Sequence, residues 1–368
     1  MGANKKYISS DELKKHNKSD DLWISIQEKV YNVTDWAKEH PGGDVPLLNL
    51  AGHDVTDAFI AFHPGTAWKY LDRFFTGYYL GDFKVSEVSR DFRKLHSEFS
   101  KAGMFEKKGH GVIYSLCFVA LLLFTCVYGV LCCDGFWIHM FSGGLLGFLW
   151  MQVAYLGHDS GHYQIMTTRG FNKFAQILSG NCLTGISIAW WKWTHNAHHI
   201  SCNSLDYDPD LQHLPMLAVS SKLFHSLTSQ FYGSIFICRH SFQHIQFTLN
   251  HFAANVYVGA PKGDDWFEKQ TSGTIDIDCS SWMDWFFGGL QFQLEHHLFP
   301  RLPRCHLRNI SPVVRELCKK HNLPYRSLSF FEANVWTLRT LRTAALEARD
   351  FSNPIPKNLL WEAVNTHG

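Results

Sequence analysis

The stretch WWKWTHNAHH, residues 190–199, places three histidines within five positions, and a further histidine motif stands on each side of it. The earlier motif is HDSGH at 158–162, and the later one is QLEHH at 293–297. Residues three or four apart share one face of a helix, so each motif can direct its imidazoles into one cavity. Imidazole is a ligand for Fe, Cu, Zn and Ni, and a set this rich in nitrogen can hold more than one ion. The predicted ligands are His158, His162, His195, His198, His199, His296 and His297.

A separate pair of histidines, His40 and His63, marks the N-terminal part of the chain. His40 opens the motif HPGG, whose paired glycines leave no Cβ atoms to obstruct a flat cofactor. With Trp23 and the run YNVTDW at 31–36, this pattern resembles the cytochrome b5 domain over residues 7–83. The resemblance implies that His40 and His63 are the axial ligands of one haem b. The apolar residues that we expect to line the haem slot are Leu47, Leu48, Leu50, Val55, Phe59 and Phe62.

Three acidic side chains, Asp44, Asp54 and Asp57, lie close in sequence to the two predicted haem ligands. Surface carboxylates attract a basic partner and raise its rate of association. We therefore expect these residues to form a docking rim for an electron-transfer partner.

Two long apolar segments precede the first histidine motif. Residues 112–133 hold 22 residues without a charge, and residues 135–157 hold 23, so each is long enough to cross a hydrocarbon core of about 30 Å. They predict a transmembrane hairpin, and the alternative, a buried helical hairpin of a soluble protein, is disfavoured by their length. Lysines and arginines flank both ends of the hairpin, which places these flanks in the cytosol. The flanking residues are Lys101, Lys107, Lys108, Arg169 and Lys173.

The segment from Phe174 to Trp191 is less purely apolar and leads into the second motif. We expect it to lie at the membrane interface or to re-enter the membrane. Trp190, Trp191 and Trp193 are then predicted to anchor it at the interface, where indole rings are favoured.

Composition limits the class of protein further. The formal net charge is +1 and there is no long basic run, so we expect no nucleic-acid partner. The ten cysteines are dispersed without a C-x-x-C pair, which favours a reduced, cytosol-facing environment. The first residues, MGANKK, do not begin the apolar stretch of a signal peptide. Membrane insertion is therefore expected to depend on the internal segments.

The three motifs together with the haem-like domain resemble the membrane front-end desaturases, in which glutamine opens the third motif, as Gln293 does here. The resemblance covers nearly the whole chain. It implies an α+β cytochrome b5-like haem domain (7–83), a linker (84–111) and a mainly α-helical integral membrane desaturase domain (112–368). Longer stretches, such as HIQFTLNHF and LCKKHNLPY, are most similar to plant sphingolipid Δ8 (long-chain-base) desaturases.

The resemblance also implies a di-iron site that activates O₂ and is held by the histidine motifs. An eighth ligand is expected at His251, with Asn250 as a weaker contributor and His244 as a hydrogen-bonding neighbour. Four carboxylates are candidates to orient the ligand imidazoles through their free N–H groups, although they fit ordinary surface roles equally well. These four are Asp159, Asp206, Asp208 and Glu295.

The implied reaction inserts a double bond at C8 of a sphingoid base or ceramide. It uses O₂ and electrons that an NADH-cytochrome b5 reductase supplies through the tethered haem domain. The implied location is the endoplasmic reticulum membrane, with several spans and with the haem domain and histidine motifs facing the cytosol. Two alternatives remain open: Δ6 acyl-lipid desaturation or hydroxylation at the same iron site, and a membrane-anchored haem electron carrier without a competent iron site.

One feature departs from the front-end desaturases, which carry a second transmembrane hairpin between the second and third motifs. Here 97 positions separate His199 from His296, and the apolar run at 233–238 is too short to cross a membrane. The sequence is expected to jump at 231–233 from a region after the second motif to one before the third. Because two crossings are lost together, the third motif keeps its side of the membrane.

Overall fold

The computed structural model describes residues 5–80, 85–107, 110–212, 219–220, 249–261 and 266–351. The predicted neighbour His244 and the predicted junction at 231–233 lie outside these ranges. So does the short apolar run at 233–238.

The N-terminal part is a five-stranded sheet in the order β1-β5-β4-β3-β2. The first and last strands in sequence, β1 and β5, pair in parallel, and the other neighbours are antiparallel. Apolar side chains of β3, the strand beside the edge strand β2, are buried in the core, among them Leu22, Ile24 and Ile26. The strands are β1 (Tyr7–Ile8), β2 (Asn17–Lys18), β3 (Asp21–Ile26), β4 (Lys29–Asn32) and β5 (Phe75–Tyr79).

Short helices lie between the strands in sequence, and two of them end at the predicted haem ligands. His40 ends the 3₁₀ turn Thr34–Glu39, and His63 is the C-cap residue of α3. Helices of one or two turns bring both imidazoles to the same pocket beside the sheet. The helices are α1 (Ser10–Leu13), α2 (Val45–Asn49), α3 (Thr56–Phe62) and α4 (Trp68–Leu71).

The acidic rim predicted beside this pocket is wrong for two of its three members. Asp54 and Asp57 are 7% and 3% exposed, so they cannot present charge to a partner. Asp54 accepts hydrogen bonds from Ser25 and Thr56, and Asp57 pairs with Arg93. A buried carboxylate needs such partners, because desolvation of an unpaired charge is costly.

Residues predicted as linker include α5 (Glu87–Lys101), a 15-residue helix that begins with a Ser86 cap. Its apolar face carries Phe92, whose ring contacts Trp266, Phe267 and Phe299 from the C-terminal half of the chain. One hydrophobic core thus includes residues of the haem-like domain, of α5 and of the third histidine motif.

Two long helices follow, α6 (His110–Leu131) and α7 (Phe136–Gly161), which pack against each other. Both helices are long and apolar enough to cross a membrane. In the most apolar stretch of each helix only 17% and 33% is buried, whereas the core helix of a soluble protein is mostly buried. Helix α7 continues past the predicted end of the span at 157, so His158 lies on its last turns and His162 caps it.

The second motif lies on α9 (Ile188–Ser201), which Ser187 caps. It follows α8 (Arg169–Gln176) and a π-helical stretch, Ile177–Thr184. Trp190 and Trp193 are 47% and 43% exposed, as interface anchors would be. The anchor role predicted for Trp191 is wrong, because its ring stacks on His195 inside the site, one helical turn away.

The remaining elements enclose the third motif. Strands β6 (Asp276–Asp278) and β7 (Ser327–Ser329) form a two-stranded parallel sheet beside α13 (Gln293–Leu298). Residues 249–252 are helical and carry His251. The other helices are α10 (Pro209–Gln212), α11 (Trp266–Gly273), α12 (Asp284–Phe287), α14 (Leu307–Lys320) and α15 (Phe330–Phe351).

Candidate metal centre

The two predicted haem ligands face each other in one pocket. The ring centroids of His40 and His63 are 5.9 Å apart. Nδ1 of His40 donates to the Gly43 carbonyl at 2.7 Å, and Nδ1 of His63 donates to the Phe59 carbonyl at 3.1 Å. Both hydrogen bonds use Nδ1, so Nε2 is the nitrogen that each ring can offer to a haem iron. Burial lowers the pKa of His40, and it lowers that of His63 to about 3, so both rings are neutral as ligation requires.

The glycines after His40 have the role that their positions suggested. A Cβ on Gly42 would lie 2.9 Å from Cε1 of His40. Gly43 has φ +90°, a conformation that residues with a side chain rarely adopt. The pocket residues therefore fit a bis-histidine haem.

The three histidine motifs converge into two adjacent groups of donors. The first group is His158, His162, His195, His199 and His296, and the second is His198, Cys202, His251 and His297. In each group, one donor atom from every member lies within 4.8 Å of the others. All eight predicted histidines of the desaturase-like part thus come together.

Helices α9 and α13 supply both groups, which explains the spacing of the motifs. On α9, His195 and His199 face the first group while His198 faces the second. On α13, the neighbours His296 and His297 divide in the same way. The groups share a wall, because the rings of His199 and His297 stack with their centroids 4.1 Å apart.

The donor atoms of both groups have the properties that metal ligands require. Nε2 of His162, Nδ1 of His199 and Nε2 of His296 are buried without a hydrogen-bond partner, which is rare in folded proteins. Nε2 of His195 lies at hydrogen-bond distance, 3.2 Å, from Nε2 of His199, which brings two donor nitrogens of the first group together. Burial lowers the pKa of His199, His251, His296 and His297, so these imidazoles are neutral and ready to bind.

Carboxylates orient several of these rings. Asp208 accepts a hydrogen bond from Nδ1 of His198 at 2.8 Å, and Asp159 lies 3.2 Å from Nδ1 of His158. Burial by itself lowers the pKa of His198, but Asp208 and Asp210 raise it to about 9. These contacts match two of the four carboxylates that the sequence suggested.

The other two suggested carboxylates have hydrogen bonds with groups outside the ligand rings. Asp206 accepts from the amide of Gly259, and Glu295 accepts from the hydroxyl of Tyr325 at 3.0 Å. Glu295 is fully buried beside Asp276, which also accepts from Tyr325, and burial together with Asp276 raises the pKa of Glu295. This network holds the third motif in place.

Two further residues that orient ligand imidazoles were not predicted from the sequence. Asp210 lies 3.3 Å from Nδ1 of His195, and Oε1 of Gln270 accepts from Nδ1 of His297 at 2.7 Å. Asp210 stands in a DPD run two residues after Asp208, which is the one signal that could have indicated it. Gln270 has no such signal, because only the fold brings α11 beside α13.

Gln293 lies beside the second group, and Cys202 is one of its members. Nε2 of Gln293 lies 2.8 Å from Nε2 of His251 and 3.4 Å from Nε2 of His297. An amide turned by half a rotation would offer its oxygen there instead. Sγ of Cys202 is near Nδ1 of His251, on the side of the ring that bonds to Gly273. Burial raises the pKa of this thiol, so it stays protonated and supports His251 from behind.

Asn250 has a structural role instead of the ligand role considered for it. Its amide donates to the carbonyls of Ile275, at 2.7 Å, and Leu290, at 3.3 Å. These bonds tie the segment of His251 to the chain that leads into the third motif.

We expect Asp208→Asn to lower the affinity for non-haem iron about 10- to 100-fold, because an orienting partner of a metal-bound histidine typically contributes that much. The measurement is bound non-haem iron in the purified protein titrated with a chelator. Asp206→Asn is the matched control, since Asp206 is two residues away and bonds to a backbone amide. Equal iron loss in both variants would contradict the role of Asp208.

The chain is similar to known proteins in both of its parts. The family described as "Cytochrome b5-like Heme/Steroid binding domain" matches residues 9–80. The family described as "Fatty acid desaturase" matches residues 135–239 and 214–329. The "Delta(8)-fatty-acid desaturase" of Helianthus annuus is 64% identical, across 99% of this chain and 97% of the relative. "Delta(8)-fatty-acid desaturase 1" of Arabidopsis thaliana is 58% identical, and the "Acyl-lipid (9-3)-desaturase" of Borago officinalis is 53% identical, each across 99% of both chains.

These comparisons also bear on the predicted missing hairpin. The alignment with the Helianthus annuus relative spans 443 positions, while this chain has 368 residues. At least 75 positions (443 minus 368) therefore hold no residue of this chain. Both matches to the desaturase family include residues 214–239, the stretch that contains the predicted junction. These observations support an internal segment missing from this chain. The chain belongs to the fatty acid desaturase family, among members with an N-terminal cytochrome b5 domain, and is similar over its whole length to plant Delta(8) desaturases.

Proposed function

We propose that this protein inserts a double bond at C8 of the long-chain base of a sphingolipid, with O₂ as oxidant. The observation that carries the proposal is one chain with a bis-histidine haem pocket beside two buried groups of metal donors. The names of the relatives support position 8.

The geometry supports a ligand assignment. His40 and His63 would hold the haem through Nε2. The eight histidines of the two groups would hold two iron ions, and Gln293 would add an oxygen donor to the second group. The ligands proposed for iron are His158, His162, His195, His198, His199, His251, His296 and His297.

The reaction consumes one O₂, two electrons and two protons, removes two hydrogens from adjacent carbons of the substrate, and yields two waters. The iron pair supplies the oxidising power needed to break an unactivated C–H bond. The chain holds the donors in fixed orientation through Asp208, Asp210 and Gln270. It also buries the site, which keeps water from quenching the reaction.

The partners follow from the same chemistry. Electrons enter one at a time from an NADH-cytochrome b5 reductase, and the substrate is a sphingoid base or a ceramide. The helices α6 and α7 are long and apolar enough to cross a membrane, which supports a membrane location. We propose the endoplasmic reticulum membrane, with the haem domain and both donor groups on the cytosolic side, because basic residues flank both ends of the hairpin.

A second candidate function is Δ6 acyl-lipid desaturation, which the 53% identity to the "Acyl-lipid (9-3)-desaturase" of Borago officinalis favours. A third is a membrane-anchored haem carrier, which the missing internal segment favours. The three differ in their products.

The test is expression in a yeast strain that lacks Δ8-unsaturated sphingolipids, followed by mass spectrometry of hydrolysed long-chain bases and of fatty acids. We expect Δ8-unsaturated bases, either from this chain or from a version with the missing segment of a relative inserted at Gly233. New Δ6-unsaturated fatty acids without new bases would contradict the proposed substrate. No new lipid from either version, with haem present, would favour the carrier.

A further inference from the structure

The haem domain lies directly on the helix that carries the second histidine motif. Nδ2 of Asn49, at the end of α2, donates to Oγ of Ser201 at 3.1 Å, and this contact is partly buried. Nδ2 of Asn196 on α9 donates to the carbonyl of Gly42 at 3.0 Å. Two hydrogen bonds thus join the haem-binding loop to α9.

One aromatic side chain lies between a predicted haem ligand and a residue of the first donor group. Phe62 directly precedes the haem ligand His63, and its ring contacts the iron-group residue His199 edge-on, with centroids 5.6 Å apart. Phe62 is thus bonded through the backbone to the haem ligand His63 and contacts His199 of the first donor group with its ring.

The third histidine motif also holds the haem domain. Nη1 of Arg301, four residues after His297, donates to the carbonyl of His63 at 3.0 Å. Arg301 is in turn stacked near the ring of Phe105, beyond the end of α5. The backbone of one haem ligand is therefore fixed by a residue that follows the iron-group helix α13.

A shared core makes this arrangement rigid. Phe92 of α5 packs between α11 and Phe299, while the neighbouring Arg93 pairs with Asp57 of α3. Separating the domains would expose these apolar rings to water, which is unfavourable. A loosely tethered haem domain would not need such contacts.

We propose that the haem domain is held docked on α9 and that Phe62 connects the redox sites, in place of a freely moving tether. The proposal rests on the proposed function for its redox part. In each transfer one electron leaves the ferrous haem, which becomes ferric, and reaches the iron site by way of His63, Phe62 and His199. Two such transfers supply the two electrons that one O₂ requires. Asn49, Asn196 and Arg301 act as positioning residues.

The docking is tested by disulfide trapping in full-length protein in membranes. We expect Asn49→Cys with Ser201→Cys to form a disulfide under mild oxidation, identified by mass spectrometry of its peptides. Lys18→Cys with Ser201→Cys is the control pair, because Lys18 is exposed on the edge strand β2. A mobile tether would let both pairs react at similar rates, and that result would overturn the docking. Haem and iron contents, equal to wild type, establish that the variants are folded.

The connection through Phe62 is tested by the rate at which the photoreduced haem is reoxidised in the presence of O₂ and substrate. We expect Phe62→Leu to slow reoxidation at least 10-fold with an unchanged haem spectrum. Phe75→Leu, an exposed aromatic on β5, should leave the rate unchanged. An unchanged rate in Phe62→Leu would overturn its role. Trapping of the disulfide with a wild-type haem that stays reduced would overturn the electron path and the proposed function, while supporting the docking.

Discussion

Replacing His158 by alanine is expected to remove non-haem iron from the first donor group and to lower product formation at least about 100-fold. His158 is fully enclosed by this group, with ring centroids 4.5 Å from His296 and 4.7 Å from His162. Loss of an orienting residue alone costs about 10- to 100-fold in metal affinity, so loss of a ligand should cost more. The measurements are non-haem iron per chain and the long-chain-base profile, with the haem spectrum unchanged.

The control for this variant lies on the same helix. His139 is near the start of α7, where its Nε2 bonds to the carbonyl of Cys133, far along the helix from the donor groups. His139→Ala should keep its iron and its activity. Normal iron content in His158→Ala would contradict the first donor group as an iron site.

Replacing His63 by alanine is expected to remove the haem and to reduce product to background, while non-haem iron is retained. A six-coordinate haem needs both axial imidazoles, and its loss leaves the iron site without the electrons that O₂ activation consumes. The measurements are the reduced haem spectrum, iron per chain and the lipid profile. Because the haem-free domain still covers α9, a separate cytochrome b5 should not restore activity.

The matched control is His53→Gln, since His53 lies between the two ligands in sequence and joins the sheet through its backbone carbonyl. Its haem spectrum should equal that of the wild-type protein. A normal haem spectrum in His63→Ala would contradict the assignment of this ligand.

The donor set could be predicted from sequence because helical spacing is local. His195, His198 and His199 obey the three- and four-residue rule on one helix, and α9 delivers His195 and His199 to the first group and His198 to the adjacent second group. The haem pair could be predicted because part of its pattern is also local. The glycines directly after His40 leave room beside its ring, where the structure shows that a Cβ on Gly42 would lie too close to Cε1 of His40.

The surroundings of the donors could not be predicted, because they depend on contacts between distant segments. Gln270 and His297 meet only through the packing of α11 on α13, and the charge of Asp57 is cancelled by Arg93, 36 residues away. Trp191 lies one helical turn before His195, and its ring therefore faces the site. Its aromatic character alone led to the wrong prediction of an interface anchor. The contacts between the haem domain and α9 could not be predicted from the sequence. Polar residues such as Asn49 and Asn196 have the same composition whether their surface is packed against another domain or exposed to solvent.

The iron-to-haem ratio of the purified full-length chain can be determined by metal analysis and by the haem spectrum of the same sample. We expect one haem and two non-haem irons per chain, because both donor groups are complete within the described residues. One haem with no other iron would contradict this expectation, since the shortened chain would then be a haem protein without a desaturase site.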